Sequence, residues 1–126
     1  MITKTGFNSS TVPRFSEAFP HAVVAGEFIF VSGTVGLDPV TGKLAESFEE
    51  QAMQSFINIK AILEELGSNL SKIVKVTVFM VSGNDFGVLN KVYQTVFPEN
   101  APARSTPQVM PFPAGIKISV ECIAIL

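Results

Sequence analysis

Apolar and polar positions along this chain follow two periods, and the switches between them divide it into elements. AVVAGEFIFV, from Ala22 to Val31, holds two short β-rich runs around Gly26-Glu27 and predicts a tight hairpin. The second run leads into SGTVGLDPVTGKL, where Asp38-Pro39 and Thr41-Gly42 mark a wide turn. From Ser47 the period lengthens. Phe48, Ala52, Phe56, Ile59, Leu63 and Leu66 recur at helical spacing, Ser47 with Glu50 forms a capping box, and Gly67 stands where a helix stop belongs. That stripe is the mark of a core-facing helix.

KIVKVTVFMV, from Lys72 to Val81, is apolar on both faces and predicts a central strand. NDFGVLNKVYQTVF predicts a second helix, opened by Asn84 or Asp85, with Leu89, Val92 or Tyr93, and Val96 turned inward. In the last run, IKISVECIAIL, alternation places Ile116, Ile118, Val120 and Cys122 on one face. Lys117, Ser119, Glu121 and Ile123 take the other. Strands, helix, strand, helix, strand make an α+β two-layer fold, a mixed sheet with two helices packed on one face. Residues 1–126 read as a single domain, with the first sixteen as its leading edge.

Composition changes the picture in one respect. Charged residues make up 16% of the 126, against about 25% for an average soluble domain, while 47% are apolar. A domain of this size cannot hide so much apolar surface by itself, so the sheet face away from the helices is expected to be covered by another copy of the chain. The net charge of −2, with nine Lys and Arg scattered along the chain, offers no cation cluster for a nucleic-acid backbone. No apolar run reaches membrane-spanning length. The single cysteine, Cys122, cannot form an internal disulfide and suits a reducing, cytoplasmic setting. With one histidine, His21, there is no metal-ligand cluster, and no cofactor motif is present.

Candidate chemistry centres on APARSTPQVMPFPAG, a proline-rich loop carrying Arg104, one of two arginines in the chain. An isolated loop arginine is ordinarily a solvated surface charge. Flanking prolines stiffen this loop, however, and a guanidinium is a rigid fork matched to a carboxylate. Glu121 lies in an otherwise apolar strand, which implies a partly desolvated carboxylate able to hold a water. An Arg104–Glu121 structural ion pair is the competing explanation for both residues.

Together, AGEFIFVSGTVGLDPVTGKL, QAMQSFINIKAILEELGSNLSKIVKVTVFMV, DFGVLNKVYQTVF, PARSTPQV and ISVECIAIL resemble the RidA (YjgF) family of enamine/imine deaminases, from about Phe19 to Ile125. The resemblance implies a chorismate-mutase-like fold, a homotrimer with ligand sites between subunits, and hydrolysis of 2-imino acids without a cofactor. It implies that Arg104 grips the substrate carboxylate and that Glu121 places the attacking water. Ser32, Gly33, Asn90 and Pro113 match further pocket positions. Two positions depart from the family pattern: Phe19 stands where a tyrosine is usual, and Thr106 where a cysteine is usual. A non-catalytic carboxylate-binding trimer and a specialised deaminase of an aminomuconate-like substrate are the alternatives.

Overall fold

The computed structural model describes residues 1–126. Seven strands form one mixed sheet: β1 (Lys4–Phe7), β2 (Ala22–Ala25), β3 (Phe28–Thr34), β4 (Ile73–Val81), β5 (Ala103–Ser105), β6 (Gln108–Val109) and β7 (Ile118–Ile125). Their order across the sheet is β1-β2-β3-β7-β4-β5, with β6 following β5 along the same edge of β4. β5 and β6 run parallel to β4, and the remaining pairs are antiparallel. Helix α1 (Phe48–Glu65) leads from β3 to β4, and α2 (Phe86–Val96) leads from β4 to β5.

Local signals account for most of these boundaries. Ser47 accepts from the Glu50 N–H and Glu50 returns the bond, which closes the capping box of α1. Asp85, not Asn84, caps α2 by accepting from the Gly87 N–H. The β2–β3 hairpin turns at Gly26, whose φ of 60° a side chain would resist. Ile118, Val120, Cys122 and Ala124 are buried under the helices, while Ser119, Glu121, Ile123 and Ile125 take the outer face. The core lies between sheet and helices, where Phe56, Ile59, Ile62, Leu63 and Leu89 are essentially inaccessible. Burying one such side chain is worth about 1.5–3 kcal/mol.

One expectation needs correction, and one strand carries no signal in the sequence. Arg104 is not in a loop: Ala103–Ser105 is a short strand paired to Lys75–Thr77. Pro102 and Pro107 fall just outside it, and a proline is tolerated where an edge strand begins or ends. Lys4–Phe7 also pairs, although it is almost wholly exposed and so lacks the alternation that would announce it. On the outer sheet face no helix covers Phe28, Phe30 and Ile125, which remain 46%, 45% and 39% exposed.

Candidate functional site

Between Val31, which pairs with Cys122, and Thr34, which pairs with Val120, two residues of β3 oppose one of β7. The two are Ser32 and Gly33, and the one is Glu121. This is a β-bulge, which breaks the ladder locally and re-aims side chains. A Cβ at Gly33 would stand 2.7 Å from Ser119 Oγ, so a side chain there would force that hydroxyl to turn away.

The Ser32 N–H donates to the His21 carbonyl at 2.9 Å, and Ser32 Oγ donates to the Pro20 carbonyl at 2.7 Å. These bonds bring residues 19–21 against the bulge. One cavity is accordingly lined by Phe19, Ser32 and Gly33, with Arg14, Phe15 and His21 completing its wall. Arg14 Nη2 donates to the Phe19 carbonyl at 3.1 Å. His21 Nδ1 accepts from the Ser9 N–H at 2.9 Å, which leaves Nε2 as the protonated nitrogen facing the Pro13 carbonyl.

Further back, Glu65 at the end of α1 accepts from the Ser9 and Ser10 hydroxyls and from the Ser10 N–H. Those bonds, the Ser10 hydroxyl first, hold its carboxyl below the usual value. The segment 8–21 is thus tied down by polar contacts at several points.

Arg104 sits elsewhere. Its row across the sheet is Arg104–Val76–Cys122–Val31, and the last three side chains are buried beneath the helices. The next row is Ser105–Thr77–Glu121. Neighbouring residues on a strand point to opposite faces, so Arg104 leaves the sheet on the helix side and Glu121 leaves it on the outer side. No ion pair joins them, and Glu121 is exposed, not partly desolvated as its neighbours had implied. The structural ion pair is therefore ruled out within one chain.

Instead the Arg104 guanidinium lies over the ring of Tyr93, with Cζ 4.7 Å from the ring centroid. Tyr93 packs edge-on to Phe56 at 5.9 Å and tilted on Phe97 at 4.8 Å, and its buried hydroxyl has no hydrogen-bond partner. Burial raises the tyrosine's pKa above its ordinary value, and the Arg104 charge pulls weakly the other way.

The remaining candidates divide between these places. Thr106 is half-buried just after Arg104, and Asn90 is exposed on α2 one turn before Tyr93. Pro113 is exposed in a short 3-10 turn before β7. Neither Asn90 nor Pro113 lines the Ser32–Gly33 cavity. Cys122 is buried, and burial together with the Glu121 charge pushes its thiol up to about 12, so it is no nucleophile at neutral pH. No three His, Cys, Asp or Glu side chains converge as a metal centre would require. Tyr93 was legible only as a core position. Its polar tip on a buried helix face, one turn after Asn90, is the signal that could have flagged it.

A family model described as endoribonuclease L-PSP matches residues 10–126. The chain is 37% identical over 125 residues to the 2-iminobutanoate/2-iminopropanoate deaminase of Rattus norvegicus, covering 98% of this chain and 91% of the relative. It is 37% identical over 126 residues to the chloroplastic Reactive Intermediate Deaminase A of Arabidopsis thaliana, covering 99% of this chain and 67% of that one. Among solved structures, RidA from the Antarctic bacterium Psychrobacter sp. superimposes with a TM-score of 0.91 at 36% identity, over 97% and 99% of the two chains.

Proposed function

The chain belongs to the RidA (YjgF) family, and from that premise we propose that it is an enamine/imine deaminase that converts reactive 2-imino acids to 2-keto acids and ammonia. In the reaction, a water oxygen bonds to the C=N carbon while the π pair moves to nitrogen, which takes up a proton. The resulting carbinolamine then expels ammonia as its hydroxyl becomes the carbonyl, so imine plus water gives keto acid plus ammonia. Such imines already hydrolyse in water, and a site that orients the reactants is sufficient.

In our reading Arg104 binds the substrate carboxylate bidentately, and Glu121 orients the attacking water beside the Ser32–Gly33 bulge. Phe19 supplies an apolar wall, Thr106 lies next to the clamp, and Asn90 and Pro113 contribute from neighbouring segments. No cofactor takes part.

One observation carries the arrangement: Arg104 and Glu121 leave opposite faces of the same sheet. A site needing both must take them from different copies of the chain. The uncovered face with Phe28, Phe30 and Ile125 offers the surface through which copies would meet. We therefore read the protein as a chorismate-mutase-like homotrimer with its sites between subunits, and with neither nucleic acid nor membrane as partner. No helix of the structure is long and apolar enough to cross a membrane. A single cysteine suits work in a reducing compartment such as the cytoplasm.

The test is ammonia release from freshly generated 2-iminobutyrate. Purified protein should accelerate it, and a rate equal to the spontaneous one would refute the assignment. Calorimetric binding of 2-ketobutyrate without any acceleration would point instead to a carboxylate-binding trimer, a reading that the missing hydroxyl at Phe19 favours.

A further inference from the structure

Arg104 makes no ion pair, and no side-chain hydrogen bond fixes its guanidinium within the chain; what holds it is the ring of Tyr93, 4.7 Å away. That ring is itself closely packed. Tyr93 is only 8% exposed and packs against both Phe56 and Phe97, whose centroids lie 5.9 and 4.8 Å from its own. A guanidinium stacked flat on a ring face keeps its in-plane N–H donors free to meet an anion.

We propose that Tyr93 is a positioning residue for the Arg104 clamp: its ring face carries the guanidinium so that the N–H fork is aimed before the substrate carboxylate arrives. This rests on the reading of Arg104 given above. A side chain as flexible as arginine otherwise has to be ordered by the ligand, at the cost of affinity. Burial keeps the phenol neutral well beyond physiological pH, so the attraction comes from the ring's quadrupole and does not titrate with the substrate. What the guanidinium meets is the ring face and not the hydroxyl. A phenylalanine should replace the tyrosine.

Tyr93 is the only tyrosine, and the chain has no tryptophan, so near-ultraviolet absorption and emission report on this ring with little interference. Titrating the unmodified protein with 2-ketobutyrate should perturb the tyrosine spectrum with the same midpoint as calorimetric binding, and Arg104→Ala should abolish both signals. In the deaminase assay Tyr93→Phe should keep KM within about twofold, whereas Tyr93→Leu should raise KM about tenfold with little change in kcat. Thermal melts and assembly state are recorded for each variant. A tyrosine spectrum that stays flat while calorimetry shows saturation would overturn the proposal, as would an unchanged KM in folded Tyr93→Leu. Should that variant fail to fold, the spectral titration decides alone. Keto-acid binding without imine hydrolysis would remove the deaminase assignment and leave the role of Tyr93 standing. Undiminished binding by Arg104→Ala would remove the clamp and this proposal together.

Discussion

The Ser32–Gly33 bulge and the Arg104 strand belong to one sheet, with β7 and β4 between them, yet they are held in place by different means. Around the bulge the fixing is polar and redundant: Ser32 to Pro20 and His21, His21 to Ser9, and Ser9 and Ser10 to Glu65. Each bond is individually modest, about 0.5–1.5 kcal/mol net, but together they pin a segment that has little core of its own. At Arg104 the backbone is a three-residue edge strand, and the side chain rests on a single aromatic face. The bulge should therefore tolerate loss of any one bond, while the clamp should be sensitive to single changes.

The largest effect is expected at the clamp. Arg104→Ala should lower kcat/KM at least about a hundredfold, since loss of a bidentate, charge-assisted contact costs several kcal/mol, while the melting temperature stays close to that of the unmodified protein. Steady-state kinetics and a thermal melt on one preparation would show whether the effect is local. A matching loss of stability would mean that Arg104 is structural.

Smaller is the expected consequence of crowding the bulge. Gly33→Ala puts a methyl 2.7 Å from Ser119 Oγ, and we expect about 1 kcal/mol of destabilisation with a roughly tenfold fall in kcat/KM. Adding Ser119→Ala removes the clash and should restore most of the activity. A double-mutant cycle measures that coupling, and additivity would deny it.

The polar tether should respond to acid. The folded value of the Glu65 carboxyl lies below its unfolded value of 4.5, so its contribution is present above that pH and is lost as pH falls through the folded value. Amide protection at Ser9 and Ser10, taken relative to the intrinsic exchange rate at each pH, should fall over that range. Glu65→Gln should weaken the protection at neutral pH and leave kcat nearly unchanged, because the other bonds to the bulge persist.

Cys122, in the Arg104 row, should have the smallest effect at neutral pH and an appreciable one only in alkali. Its thiol is raised from 9.0 to about 12, so folding retains the proton more tightly than the unfolded chain does. That contribution is whole below 9.0 and is lost as pH rises towards about 12. Cys122→Ala should accordingly flatten the loss of stability across this window in denaturant titrations. At pH 7 the native thiol should resist a disulfide reagent.

Much of the scaffold could be read directly because its signals are local. Ser47 and Glu50 start α1, Gly67 with its φ of 83° follows its end, and alternation from Ile118 to Ala124 assigns both faces of β7. The short strands escaped notice for physical reasons. Lys4–Phe7 has no buried face to impose a period, and Ala103–Ser105 is too short and too close to prolines to show one. For the proposed site, residue types were legible and their mutual placement was not. The opposite faces of Arg104 and Glu121 follow from the parallel pairing of β5 with β4, a long-range register that no local spacing encodes. The desolvation expected of Glu121 failed because its apolar neighbours on the strand, Val120 and Cys122, point away from it into the core.

A mixing experiment addresses the shared site most directly. Arg104→Ala and Glu121→Ala chains, each nearly inactive alone, are unfolded together in equal amounts and allowed to reassemble. If each site takes its arginine from one subunit and its glutamate from the next, random assembly in a symmetric ring should restore about a quarter of the unmodified activity. If both residues served the same site from one chain, no mixture could recover any, and persistent inactivity of the refolded, correctly assembled mixture would contradict the account.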